Sequence, residues 1–166
     1  MTKRVLVLLI VLGILSGGSV SRASDDWMRL EDFVTQIYLD YAGESFATVY
    51  SAMYPAIKER VSERDYVEFQ RGHFEDLSLE ITEIEVGEIR EEPRLIRSLR
   101  QLLPDDEDRQ VFGVEIRYKA SFVRGTRYNQ RITKTVYVVA VNWCTEREAL
   151  YLLWDPSSME EEGTDQ

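Results

Sequence analysis

The sequence predicts an α+β fold in which N-terminal helices pack in the concave face of a curled antiparallel sheet of about four strands, forming a cone. Three patterns carry that expectation. Trp27, Leu30, Phe33, Val34, Ile37, Tyr38 and Tyr41 recur every three or four residues, the stripe of an amphipathic helix. From Phe112 to Phe122 every even position is apolar or aromatic, while Glu115, Arg117, Lys119 and Ser121 take odd ones, the alternation of a half-buried strand. A second long run, 131–143, is rich in Thr, Val, Ile and Tyr and returns from a turn at Gly125. Strands much longer than the usual ~5–6 residues must twist, and the helical half is what they would curl around.

The N-terminus reads as a leader. Lys3 and Arg4 precede an apolar run from Val5 to Leu15, too short to span a ~30 Å bilayer comfortably. Ser21 and Ala23 suit a signal peptidase cutting before Ser24, leaving no stable membrane anchor; an uncleaved anchor is the competing reading. The mature chain would then work outside the cytoplasm, secreted or periplasmic. The expected division is a signal peptide at 1–23, one domain at 24–157 and a disordered acidic tail at 158–166.

Within the domain, Asp25 or Asp26 can cap the first helix and Gly43 can stop it. A short helix carrying Phe46, Val49, Tyr50 and Met53 follows, and Pro55 ends it or opens the next turn. Ser62 with Asp65 three residues on caps a further helix, which carries Tyr66, Phe69 and Phe74; His73, near its end, is placed to meet free carbonyls. The apolar phase then slips between Ile81 and Ile84 and again between Val86 and Ile89, predicting two bulges. Glu80, Glu83, Glu85 and Glu88 read as a solvated strand face rather than a metal site.

Residues 91–109 form an insertion in which Leu95, Ile96, Leu99, Leu102 and Leu103 oppose Arg94, Arg97 and Arg100, expected to be a short amphipathic helix serving as a lid or partner contact. For the hairpin, a three-residue loop pairing Ile116 with Val136 and Arg117 with Thr135 is favoured over a two-residue loop, which would set Arg117 against Lys134.

Composition narrows function. The 166 residues, 44% hydrophobic, suit one domain, and the net charge is −10. Removing Lys3, Arg4 and Arg22 with the leader leaves 17 of the 20 basic residues against 30 acidic ones, or −13. Such a chain repels nucleic acid and anionic membranes. Cys144 and His73 are the sole cysteine and histidine. No internal disulfide can form, and Cys144 reads as a small apolar residue at a strand end.

Three short segments carry a resemblance. The run from Tyr50 to Pro55 with Lys58 and the run from Val61 to Val67, together with Trp154-Asp155-Pro156-Ser157, resemble the N-terminal non-catalytic domain of methicillin-resistance-type penicillin-binding transpeptidases. That domain is a member of the nuclear-transport-factor-2-like superfamily, which the order of elements over residues 25–160 also resembles. The resemblance implies a cystatin-like cone with the long first helix in the sheet. It brings no cofactor and no transpeptidase activity, and the 91–109 insertion departs from the simplest version of that fold.

The function expected from these readings is a secreted, non-catalytic binding or protein-interaction module of the bacterial cell envelope. Its partner would be an envelope protein or a second copy, docked on a sheet face made by Tyr137, Val139, Val141 and Trp143. The alternative is a small-molecule-binding protein or an isomerase/dehydratase-type enzyme, with Tyr38, Tyr41, Tyr54, His73 and Tyr118 around the cone pocket. No catalytic residue and no metal ligand is assigned. A wedge-type protease inhibitor ranks last, because the Gly125-Thr126 turn lacks apolar residues. A cone filled by side chains would favour the interaction module; a deep pocket shared by Tyr41 and His73 would favour chemistry.

Overall fold

The computed structural model describes residues 19–103 and 108–161. Most of the expected leader, part of the acidic run after Leu103 and residues 162–166 of the expected disordered tail lie outside them. N-terminal helices pack on a four-stranded antiparallel sheet. Among the described residues no helix is long and apolar enough to cross a membrane.

Helix α1 (Ser19–Ala42) carries the predicted stripe, with Leu30 and Val34 fully buried. It starts before Asp25 and Asp26 and runs through the expected cleavage point, so neither aspartate caps it in the full chain. At its other end Gly43 N–H donates to Leu39 O at 2.9 Å, but the left-handed residue is Glu44, at φ 57°. Helices α2 (Phe46–Ser51) and α3 (Pro55–Lys58) follow, and Pro55 occupies the first turn of α3, where its missing N–H costs nothing. In α4 (Glu63–Leu77) the Ser62 hydroxyl accepts from Asp65 N–H at 3.2 Å, the predicted cap.

The sheet runs β1 (Glu80–Glu91), β2 (Arg109–Arg124), β3 (Thr126–Val141) and β4 (Ala149–Leu153) in sequence order. Both predicted bulges are present in β1, between Thr82 and Glu85 and between Val86 and Ile89. Around the hairpin the register differs from both expected alternatives. Arg124 pairs with Thr126 and leaves Gly125 alone at the tip, at φ 72°. Ile116 therefore faces Lys134, Val114 faces Val136, and Arg117 faces Thr133.

This is a two-residue shift from the favoured register, and a shift of two keeps every side chain on its predicted face. Two contacts favour it. Phe122 and Tyr128 become direct partners and stack at 5.6 Å. Lys119 lies opposite Arg131, but the bulged Glu83 (φ 53°) accepts from both, at 3.2 and 3.0 Å, so the like charges are bridged.

The even positions of β2 and β3 face the helices: Trp27 meets Phe112 edge-on at 5.7 Å, and Tyr38 meets Tyr118 at 5.7 Å. The insertion lies over the opposite face. A Cβ on Gly113 would come within 3.1 Å of Pro93 and 3.2 Å of Thr135. Leu99 and Leu102 are buried, and Ser98 Oγ donates to Asp155 Oδ2 at 2.8 Å just beyond β4. Val138 on the helix side and Val139 on the insertion side are consequently both 0% exposed.

The helix within the insertion, α5 (Arg97–Arg100), is one turn long, shorter than the amphipathic pattern suggested. The sheet is also not strongly curled, unlike the predicted cone. With apolar cover on both faces, the strands need not wrap the helix to bury their side chains. The free edge of β4 is closed by residues 52–54, whose backbone bonds Leu152 in both directions, at 2.8 and 2.9 Å. Ser158–Glu161 forms the helical turn α6, inside the segment expected to be disordered.

Gly113 is the tightest constraint on the insertion. Gly113→Ala should destabilise the protein by about 1–3 kcal/mol through overpacking against Pro93. Urea denaturation checks the loss, and faster trypsin cleavage at Arg94, Arg97 or Arg100 checks that the insertion has loosened.

Candidate functional site

Three of the five predicted pocket residues converge. α1 supplies Tyr38 and Tyr41 one turn apart, and the inward face of β2 supplies Tyr118. Tyr41 Oη donates to Gln70 Oε1 of α4 at 2.9 Å, which satisfies a side chain only 5% exposed. The Tyr41 ring packs edge-on against Phe74 at 5.1 Å and Phe46 at 5.7 Å. Aromatic rings thus occupy the space between helix and sheet where a cone pocket was considered.

Tyr54 and His73 lie elsewhere. Tyr54 meets Tyr151 at 5.8 Å beside the β4 edge, and the half-buried His73 stacks on Phe69 at 6.4 Å along α4.

The residue that completes the cluster is Lys134, which the sequence reading passed over. Its Nζ lies 5.3 Å from the Tyr38 ring centre and 5.7 Å from that of Tyr118, and it forms no ion pair among the described residues. Its signal was present: Lys134 is a cation at an even position on a strand whose even positions face the helices. Desolvation lowers its pKa, although the residue as a whole is exposed. Desolvation also raises the pKa values of Tyr38, Tyr41 and Tyr118, with neighbouring tyrosines adding to the rise at Tyr38 and Tyr41, so all three phenols are neutral at physiological pH. The cluster offers three hydroxyls and one ammonium.

The four predicted interface residues do not form an exposed patch. Tyr137 and Val141 are half-buried and Val139 fully buried on the face the insertion covers. Trp143 leaves that face altogether. Asn142, at φ 53°, turns the chain, so Trp143 packs on Phe112 at 4.7 Å on the helix side. Arg29 of α1 sits over the Trp143 ring at 5.9 Å, pairs with Asp26 and reaches Glu148 at 3.2 Å. The Cys144 thiol donates to Asp26 Oδ2 at 3.0 Å, and Cys144 N–H donates to Glu148 at 2.9 Å. This network fastens the start of α1 to the β3–β4 turn.

Along β1, Glu80, Glu83 and Glu88 are paired with Arg127, with Lys119 and Arg131, and with Arg90, as suits a solvated face. Among the described residues no group of three acidic, histidine or cysteine side chains is placed to hold a metal.

Two open concavities lie on the surface. One, of about 750 Å³, is lined by Arg94, Leu95, Ile96, Arg97, Arg100 and Gln101. A neighbour of about 430 Å³ shares Gln101 and includes Arg60, Val61, Asp155 and Met159. Asp155 is held below the usual carboxylate range by hydrogen bonds from Ser98 and Ser157, which outweigh the opposing, individually largest effect of desolvation.

Two titrations test these environments. Because the folded-state pKa of Lys134 lies below its unfolded value, the fold carries a charging penalty at neutral pH that disappears as pH rises and the lysine becomes neutral. Lys134→Met should raise Tm at pH 7 by roughly 1–3 °C, with exposure screening most of the penalty, and the advantage should shrink toward alkaline pH. A lowered Tm would show that the ring contacts outweigh desolvation. At Cys144, desolvation first and the Asp26 hydrogen bond second push the thiol pKa up to about 11. Iodoacetamide labelling should therefore be slow at neutral pH, rise toward pH 11, and speed up in Asp26→Asn.

No protein-family model matches this chain, and no curated protein matches it.

Proposed function

We propose that this chain is an extracytoplasmic, non-catalytic protein-interaction module of the bacterial cell envelope, and that its working surface is the insertion side of the sheet. The observation that carries this reading is the contrast between the interior and that surface. Tyr38, Tyr41, Phe46, Phe74 and Tyr118 pack ring against ring between helix and sheet, whereas two open grooves meet at Gln101. The leader-like N-terminus and the strong net negative charge suit an exported domain that binds neither nucleic acid nor an anionic membrane.

In this reading the fold is a shallow variant of the nuclear-transport-factor-2-like architecture. The long first helix against a four-stranded antiparallel meander supports that, as does the resemblance at Tyr50–Pro55 with Lys58, Val61–Val67 and Trp154–Ser157 to the transpeptidase N-terminal domain. A homodimer through Tyr137, Val139 and Val141 would require the insertion to lift away, so the contact is placed on the insertion itself.

One observation favours a second reading. Lys134, with no ion pair among the described residues and resting on two tyrosine rings, is suited to a small anionic ligand at the edge of the cluster.

Photo-crosslinking in intact cells separates the two. A photoreactive residue at Gln101 of the full chain should give a discrete protein adduct, and the same residue at exposed Glu85 on β1 should give none. No adduct at Gln101, with an anionic small molecule retained by the purified chain and lost in Lys134→Met, would sink the interaction module.

A further inference from the structure

In this acidic chain many cations have carboxylate partners. Arg29 pairs with Asp26 and Glu148, Arg64 with Glu68, Arg117 with Glu115, and Lys119 and Arg131 with Glu83. The arginines of the insertion side do not follow that pattern. Arg94, Arg97, Arg100 and Arg60 form no ion pair among the described residues, and the Arg100 guanidinium donates only to the Leu95 carbonyl, at 3.3 Å. All four line the two grooves that meet at Gln101.

The same grooves expose apolar surface. Ile96 is 54% exposed, one of four large hydrophobic residues that stand out among the described residues, and Leu95, Val61 and Met159 contribute further. The support is fixed rather than mobile in kind: Leu99 and Leu102 are buried against the sheet, Pro93 is wedged over Gly113, and Ser98 is tied to Asp155. In the larger groove three guanidinium groups without an ion pair among the described residues rim an apolar floor, a preorganised surface with little ordering cost, while the second groove sets Arg60 beside Asp65 and Asp155.

We infer that this groove docks an extended acidic segment of another protein, with at least one apolar side chain seated on Ile96 and flanking carboxylates on Arg94, Arg97 and Arg100. This rests on the interaction-module reading and names its partner. A peptide fits better than the other anionic macromolecules. The apolar floor offers nothing to a nucleic acid or an acidic glycan, and the chain's net charge of −10 opposes a nucleic acid or an anionic bilayer outside this concave patch.

The test uses the full-length chain and a fluorescein-labelled peptide of alternating Glu and Leu, read by anisotropy. Binding should weaken with salt, and a peptide with Gln in place of Glu should bind at least about tenfold less tightly. Arg94→Glu/Arg97→Glu/Arg100→Glu should lose tenfold or more, and Ile96→Ser about tenfold with the arginines intact. These residues are exposed, so circular dichroism and Tm should remain those of the parent.

Equal binding of the Gln peptide, or undiminished binding by the triple variant, would overturn the inference. So would comparable affinity for vesicles of anionic phospholipid. Binding that appears only in Glu160→Gln/Glu161→Gln/Glu162→Gln/Asp165→Asn would assign the groove to the chain's own tail instead. Self-association abolished by the triple variant would assign it to a second copy. If the Gln101 adduct persists in the triple variant while the peptide fails to bind, the module reading stands and this partner assignment falls.

Discussion

Each side chain of the β2–β3 hairpin must lie on one of two faces, and in this protein both faces carry an apolar layer. Leu30 and Val34 of α1, together with Trp27 and Tyr38, cover the even side. The insertion covers the odd side at the end where Gly113 lets Pro93 approach. Burying an aliphatic side chain such as Val138 or Val139 contributes about 1.5–3 kcal/mol, so neither cover can be lost cheaply. The flat sheet, the filled interior and the outward-facing arginines all follow from this double cover.

The insertion converts a surface into a core and makes a new surface beyond it. Tyr137, Val139 and Val141 would be an adhesive patch on a bare sheet, but here they seat the insertion. Leu99 and Leu102 turn inward, and its arginines are left facing solvent because the underlying layer is apolar. The exposed chemistry of this side therefore belongs to a segment of about one helical turn rather than to the strands.

Charge is arranged with similar economy. Glu83, thrown outward by a bulge, bridges two cations that the hairpin register sets side by side. Asp26, Arg29 and Glu148 tie the first helix to the turn that redirects Trp143. These exposed or partly exposed pairs add little stability individually, but they fix orientation where the apolar contacts alone would permit sliding. Lys134 differs, a cation placed on the helix face with the rings of Tyr38 and Tyr118 in place of a counter-ion among the described residues.

Much of the fold was legible in the residues. The 3.6-residue stripe of α1, the Ser62 cap, the alternation of β2 and both β1 bulges were readable because each depends on neighbours within a few positions. Tyr38, Tyr41 and Tyr118 could be expected together, since one stripe and one alternating strand face each other. The hairpin register could not be fixed by period alone, because a shift of two residues preserves every face; the Phe122–Tyr128 stack and the bridging Glu83 accompany the choice. The fate of Tyr137, Val139, Val141 and Trp143 was likewise hidden, because it turns on a distant proline meeting Gly113 and on a left-handed Asn142. Within each strand and helix, sequence by itself determined which residues share a face; only the tertiary structure decided what covers each face, since burial comes from contacts between segments far apart in the chain.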